Sequence, residues 1–529
     1  MRNTIILIAI ILVVYIPCSL LDYAAFPFSD GAEHGAAVRE LAKHLIHPED
    51  PMLADHPGDS PRFVPSTFLM ALFMRLLHLD VLVTLKIFLV IYFLLFLVSA
   101  ALFSREYFND AGQVPWSLAS LLFLWGLGWT GANAYMFSAI LYTSYFPSVV
   151  SFSLSLMALY AQLRFLRCKK TVFLIVEVIL GSLAFVNHPL TGVFFFTCSG
   201  LLYIEKRSSE KKTFPSTMIF GYILSVIVTL ALVYLWPYYD FFTSFFKIAS
   251  GKMVKAADYQ NTREYLYSML LLRSGPALAG IPFLILFLLR KRYLLLVGSF
   301  IIFGLIYLTG YLFNISLAER FIFFIMFTLQ MTVSRIFREW FSFSSLSLKK
   351  DLKKITAWFL ILLLIIGIII QMVFLYSNFI SPVFAFTPKR FFPNYVSPYK
   401  IQLELKKYLG DGDVVLSDFF TAWSIPVYTG AKIIALWHTP PHVNDNFERI
   451  KAVEKFYNER FLVKKRRKLP PITCEERKEI LKKYGVTHVL LNFRTAGKDI
   501  ESVLKEMGFP IIVCNNSFCL FSVSPNNIR

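Results

Sequence analysis

Residues 27 to 36 read PFSDGAEHGA, and Asp30, Glu33 and His34 are the first residues of the chain whose types and spacing could do chemistry. Residues three and four apart share one face of a helix, so a helix that starts at Asp30 carries Glu33 and His34 beside it. Three readings of that face stand open. Asp30 as an N-cap with Glu33 three residues on is a capping-box pattern with a purely local role. A carboxylate held near a membrane surface can instead serve as general base for a hydroxyl. Alternatively, Asp30 and His34 join Asp55, His56 or Asp59 around a divalent metal ion, although the spacing matches no specific metal motif.

The elements that position these residues follow from composition. The 529 residues are 56% hydrophobic, 17% aromatic and only 16% charged, more apolar surface than a soluble fold can cover. Runs such as TIILIAIILVVYIPCSLL at the start and ITAWFLILLLIIGIIIQMVFLY from Ile355 are long enough to cross a hydrocarbon core as helices, the form that satisfies the backbone there. The first run lacks a small-residue cleavage site and reads as a retained helix. The net charge of +19 does not imply nucleic acid, because in a membrane protein the distribution of charge matters more than its sum. Lys and Arg cluster at Arg164 to Lys170, Glu205 to Lys212, Arg290 to Arg292 and Arg335 to Lys354, and those loops are expected on the cytoplasmic side. Spans near 4–21, 81–103, 115–137, 145–163, 171–186, 189–204, 216–238, 275–289, 293–312, 318–335 and 355–377 then make about eleven helices, with the amino terminus inside and the carboxyl tail outside.

The first outer loop is expected over 22–80. Within it VPSTFLMALFMRLLHL (Val64 to Leu79) carries Arg75 and His78 and reads as an amphipathic helix lying along the interface. From about Phe379 the charge density rises and no spanning stretch recurs. Helical segments (PYKIQLELKKYL, ERKEILKKYG) alternate there with β-branched runs (DVVLS, THVLLNF, PIIVC, CLFSV). The expected division is a transmembrane part at 1–378 and an outer α/β domain at 379–529. KKRRK (Lys464 to Lys468) reads as a solvated or headgroup-facing patch. Six cysteines are too few for a disulfide framework, but Cys514 and Cys519 lie on the arms of an expected hairpin, where a bridge and two free thiols are both open.

The order of a first helix, a long outer loop with an early acidic residue, an amphipathic segment, many helices and an outer tail domain resembles the GT-C superfamily of membrane glycosyltransferases. The text SDGAEHGAAVRELAKHL followed by RFVPSTFLMALFMRLLHLDVLVTLKIF is similar to that superfamily's first loop and second span. VNHPLTG and VVLSDFFTAWSIPVYTGAKIIAL with LKKYGVTHVLL resemble prokaryotic members with a tail domain. The resemblance implies transfer of a sugar from a polyprenyl-phosphate-linked donor to a glycan, lipid or protein acceptor on the outer face of the inner membrane. It maps the family's first-loop acidic residue onto Asp30, as base for the acceptor hydroxyl. Many members carry a second acidic residue in the next outer loop; AYMFSAILYTSYFP has none, and Glu33 is the candidate substitute.

A lipid-phosphate donor calls for cations near the outer interface. Arg320 at the outer start of a span, Lys86 in the second turn of another, Arg273 with Arg263 and Lys252 in the segment from Trp236, and His188 in the outer turn NHP are the candidates. Each also has a bland reading, as an interfacial or structural residue. His438 and His442 of the tail domain either face the cavity or pack. Three other functions remain on the sequence alone: a flippase of lipid-linked glycans, a polymerase or ligase using lipid diphosphate-linked oligosaccharide, and a scaffold. Glu177 and Gln371 are almost the only polar groups deep in the spans, and no inverted repeat is evident, which ranks transport below transfer.

Overall fold

The computed structural model describes residues 2–20, 30–127, 135–210, 216–242, 264, 266–341, 350–376, 396–436, 443–460, 467–493 and 498–524. Its helical part runs α1 (Arg2–Leu20), α2 (Asp30–Lys43), α3 (Pro65–Leu76), α4 (Val81–Phe108), α5 (Val114–Phe123), α6 (Phe137–Thr143), α7 (Pro147–Cys168), α8 (Thr171–Asn187), α9 (Pro189–Glu210), α10 (Ser216–Leu235), α11 (Leu270–Ser274), α12 (Gly280–Leu289), α13 (Leu294–Leu312), α14 (Ile322–Phe341) and α15 (Lys350–Leu375). Among the described residues, six helical stretches are long and apolar enough to cross a membrane: Val81–Phe108, Pro147–Cys168, Leu270–Leu289, Leu294–Leu312, Ala318–Trp340 and Trp358–Leu375. Shorter apolar helices cover Thr4–Ser19, Pro65–Leu76, Thr171–Asn187 and Ile219–Leu235. The count of about eleven full spans is therefore not reached by length and hydropathy. The chain is an integral membrane protein that mixes full spans with short helices.

The span expected at 115–137 shows why. Helix α5 stops at Phe123, and its last carbonyls are satisfied from the side, as a helix broken in apolar surroundings requires. The Gln330 amide donates to the Leu124 carbonyl at 3.0 Å and accepts from the Tyr135 hydroxyl at 2.9 Å. Gln371 accepts from both the backbone N–H (3.1 Å) and the hydroxyl (2.7 Å) of Ser138, at the start of α6. Gly126 N–H donates to the Arg273 carbonyl at 2.7 Å. That approach is so close that a Cβ at 126 would strike the carbonyl oxygens of Leu272 and Arg273, so only glycine fits. Gln371 thus serves the break. Glu177 of α8 accepts from Ser199 and Tyr203 of α9, each at 3.4 Å.

Helix α3 is too short to span. It buries Ser66, Thr67, Met70 and Ala71 on one face and exposes Leu69 and Leu76 on the other, the pattern of a helix lying at an apolar boundary.

The tail domain adds α16 (Val396–Leu405), β1 (Val414–Leu416), α17 (Phe419–Ala422), α18 (Ile425–Thr429), β2 (Lys432–Ile433), α19 (Asn446–Tyr457), β3 (Glu459–Arg460), β4 (Arg467–Lys468), α20 (Cys474–Lys483), β5 (His488–Asn492), α21 (Lys498–Glu506), β6 (Ile511–Cys514) and β7 (Phe518–Ser522). Its sheet has the order β2-β1-β5-β7-β6. Strand β1 pairs parallel to β2 and β5, while β7 runs antiparallel to β5 and β6. All four β-branched runs became strands, and a disulfide joins Cys514 to Cys519 across β6 and β7.

This domain is not separate from the first loop. Leu53 bridges Ile433 in parallel, with Ile433 N–H on the Met52 carbonyl at 2.8 Å and Ala54 N–H on the Ile433 carbonyl at 3.0 Å. Residues 52–54 therefore extend the sheet beside β2, and Ala36, Met52 and Leu53 share a core with Ile401, Val415 and Leu490. The expected boundary at 378/379, the residues Lys252, Arg263, His438 and His442, and Lys464 to Arg466 lie outside the described residues.

Candidate active site

Helix α2 is held by the tail domain on one face and by α4 on another. A Cβ at Gly35 would meet Val427 at 2.5 Å and Leu85 at 3.3 Å, so the small residue permits the close packing. Arg39 donates to the last carbonyls of α18, those of Val427, Tyr428 and Thr429, at 3.1–3.4 Å, where a helix leaves acceptors without a partner in its own backbone. Lys432 reaches Glu40 at 2.8 Å. Lys406 of the tail pairs at 2.6 Å with Asp80, which also caps α4 through Leu82 N–H at 2.8 Å.

Asp30, Glu33 and His34 share one face, as their spacing requires, and that face meets Arg62. The Glu33 carboxylate is 4% exposed. Its Oε2 accepts from Arg62 Nη2 at 2.7 Å and Nε at 2.8 Å, and its Oε1 accepts from the Trp423 indole at 3.1 Å. Asp30, with its side chain 32% exposed, stands 3.6 Å from Arg62 Nη2. Arg62 Nη1 lies 3.5 Å from His34 Nε2, and the Phe146 ring lies 5.0 Å from that imidazole, centroid to centroid. Against the penalty of burial, the Glu33 and Asp30 carboxylates hold the Arg62 guanidinium above its ordinary value.

Arg62 is placed by the start of α3. The Thr67 hydroxyl donates to the Arg62 carbonyl at 2.7 Å and accepts from Val64 N–H at 3.0 Å. The VNHPLTG segment is the neighbouring joint. Buried Asn187 accepts from Ser66 N–H at 2.9 Å and donates to the Pro147 carbonyl at 2.8 Å, tying α3, α7 and α8 together. His188 follows, with its Nδ1 2.8 Å from the Thr191 hydroxyl. Arg320, in the turn that leads into α14, and Arg62 both act on the His188 ring.

The structure thus gathers Asp30, Glu33 and His34 around Arg62, with His188 and Arg320 in electrostatic reach. Lys86 sits half-buried in the second turn of α4, next to the Leu85 that packs on Gly35. Arg273 is buried in α11 and, with Glu319, within electrostatic reach of Tyr307. Sequence reasoning missed Arg62 and Trp423. The string GDSPRF carries no periodicity to single out an arginine, and Trp423 is 390 residues from Glu33.

The structure does not bring Asp30, His34 and Asp55 together as one ligand set. Among the described residues, three metal-capable side chains come within 4.8 Å of one another only at Glu501, Cys514 and Cys519, where both cysteines are spent on the disulfide. Arg62 lies against Asp30 and His34, and its fixed positive charge repels a metal ion there. Asp55 belongs to the tail junction, where its carbonyl accepts from Arg449 at 3.5 Å.

No protein-family model matches the chain, and no curated protein matches it in sequence. Solved structures match its fold. The oligosaccharyltransferase of Archaeoglobus fulgidus, crystallised tethered to an acceptor peptide, superposes with a TM-score of 0.50 at 11% identity, over 91% of this chain and 68% of that one. ArnT from Cupriavidus metallidurans superposes with TM-scores of 0.55 in the apo state and 0.56 bound to undecaprenyl phosphate, each at 10% identity over 99% of this chain and 98% of that one. The chain has the GT-C fold. In this GT-C fold the cluster around Arg62 lies where α2, the approach to α3, the α8–α9 turn and the tail segment 417–424 converge.

The two histidines give the cluster a pH signature. Burial first, then the Arg62 charge, holds the His34 imidazole well below its ordinary value, and His188 adds to this while Asp30 opposes it. Burial, then Arg320 and Arg62, pushes His188 down to about 3. Both are neutral in the fold and titrate near ~6.5 when unfolded. Between those limits the unfolded chain binds more protons, so stability is full above pH ~6.5 and declines as the pH falls toward ~3. Melting curves in detergent are expected to drop steadily from pH 7 to pH 5, and His188→Gln is expected to flatten that slope. An unchanged slope in the variant contradicts a neutral buried His188.

Proposed function

We propose that the chain is a membrane glycosyltransferase that moves a sugar from a polyprenyl-phosphate-linked donor to a hydroxyl or amide of a glycan, lipid or protein acceptor. The observation that carries this reading is the partly exposed Asp30 carboxylate beside the Arg62 guanidinium, with His188 and Arg320 close by. That pairing lies in a fold shared with an ArnT bound to undecaprenyl phosphate and an oligosaccharyltransferase holding an acceptor peptide. In the step proposed, Asp30 takes the acceptor proton as the acceptor atom bonds to the anomeric carbon. The bond from that carbon to the phosphate oxygen breaks, and its electron pair leaves with the polyprenyl phosphate. The donor phosphate changes from a diester to a monoester and gains negative charge, so cations already in place lower the barrier. Arg62 and Arg320 are the cations assigned to it, with Lys86, Arg273 and neutral His188 as further donors. Glu33 and His34 serve by holding Arg62, through Glu33 Oε2 and His34 Nε2.

The orientation proposed puts the tail domain outside the inner membrane. The Lys and Arg clusters support it, because they fall at the opposite ends of the helices that start at the site. Arg164 and Arg167, near the end of α7, pair with Glu106. Arg335 and Arg338, near the end of α14, pair with Asp110. The test is purified protein in lipid nanodiscs with radiolabelled polyprenyl-phosphate sugars and a membrane extract as acceptor source. Release of polyprenyl phosphate with transfer of label is expected. Movement of labelled lipid across vesicles without release would replace this reading with transport.

A further inference from the structure

The donor that completes the Glu33 site comes from the other end of the chain. One Glu33 oxygen receives both Arg62 nitrogens, at 2.7 and 2.8 Å, and the other receives the Trp423 indole N–H at 3.1 Å. A carboxylate this deeply buried loses heavily when one of its donors is removed. Indole is a donor only, so Trp423 cannot turn to accept a hydrogen bond instead.

Trp423 is itself held rigidly. Its backbone N–H closes the last turn of α17 on the Phe419 carbonyl. That turn starts from β1 at Asp418, whose carboxylate caps Phe420 and Thr421 N–H at 3.1 and 3.2 Å. Thr421 is fastened in turn, by Gln402 on its carbonyl and Asn492 on its hydroxyl, each at 2.9 Å. The position of the tail sheet therefore passes through Trp423 to Glu33, from Glu33 to Arg62, and from Arg62 to Asp30 at 3.6 Å.

We infer that Trp423 is a positioning residue of the transfer site: the docked tail domain holds Glu33 through it, and so sets Arg62 beside the base. This rests on the transferase reading above. Docking through Arg39, Lys432 and Lys406 is then a condition of turnover as well as of stability.

The test uses the full chain in nanodiscs and compares Trp423→Phe, which keeps a packed ring, Trp423→His, which keeps a ring N–H, Glu33→Gln, and Glu33→Gln with Trp423→Phe. Loss of one hydrogen bond to a buried charge is expected to lower kcat in Trp423→Phe by about tenfold to a hundredfold. KM for the polyprenyl-phosphate sugar is expected to stay near wild type, the melting temperature to fall because a buried charge loses a donor, and Trp423→His to recover part of both losses. In the Glu33→Gln background, Trp423→Phe is expected to change kcat less than about twofold, because the two residues act as one unit. Wild-type turnover in Trp423→Phe, with Asp30→Asn inactive, overturns this inference and leaves the transferase reading standing. Additive losses in the double variant, or equal losses of kcat and melting temperature in Trp423→Phe and Trp423→His, overturn it in favour of packing alone. A wild type that transfers no sugar from any polyprenyl-phosphate donor overturns both.

Discussion

Asp30→Asn is expected to lower sugar transfer by about a hundredfold to ten-thousandfold, the range a positioned general base contributes, while the protein folds and binds donor normally. Asparagine keeps the shape of the side chain but cannot take a proton at neutral pH. The exposure of Asp30 separates it from Glu33: its side chain is 32% exposed and lies 3.6 Å from Arg62, close enough for orientation and open enough to meet an acceptor. Glu33 has its oxygens directed at Arg62 and Trp423. Activity that survives EDTA in the wild type is expected alongside, since a guanidinium lies against Asp30 and His34. Normal turnover by Asp30→Asn returns Asp30 to a helix-capping role, and loss of wild-type activity on chelation returns it to a metal ligand.

The second large effect is on stability. Arg62→Met removes the charge that lies against Glu33, His34 and Asp30 and takes from the buried Glu33 carboxylate its guanidinium partner. Breaking a buried pair from one side typically destabilises by about 3–5 kcal/mol. Arg62 keeps 25% of its side chain exposed, which allows water to compensate in part, so about 2–3 kcal/mol is expected here. Denaturation in detergent should show it as a clear fall in melting temperature. Adding Glu33→Gln to Arg62→Met should recover part of that fall, because the unpaired charge is then gone. A melting temperature equal to wild type in Arg62→Met means that the pair is solvated and does not organise the site.

Local chemistry wrote much of this molecule legibly into its sequence. Apolar runs declared the membrane helices. The spacing of Asp30, Glu33 and His34 declared one helical face, because the helical period is a property of the backbone. The β-branched runs of the tail became β1, β5, β6 and β7 for the same reason. The failures were at the places where distant segments repair a local defect. The apolar text of 115–137 reads as one span, yet α5 ends at Phe123. Breaking the helix there exposes the Leu124 carbonyl and the Ser138 N–H, and Gln330 and Gln371, more than two hundred residues on, supply their partners.

The candidate site divides along the same line. The sequence by itself determined a membrane protein with an acidic helix face next to the first span, a tail with a small sheet, and basic clusters at one set of helix ends. Only the tertiary structure decided what that face does. It brought Arg62 across from the approach to α3 and Trp423 from the tail, joined residues 52–54 to the sheet beside β2, and set a guanidinium where a metal ion had been an alternative. Helix and strand periods are encoded within a few residues, whereas the partner of a buried charge is chosen by desolvation. The Glu33 carboxylate, 4% exposed, must find donors wherever the chain can bring them, and no spacing along the sequence records that choice.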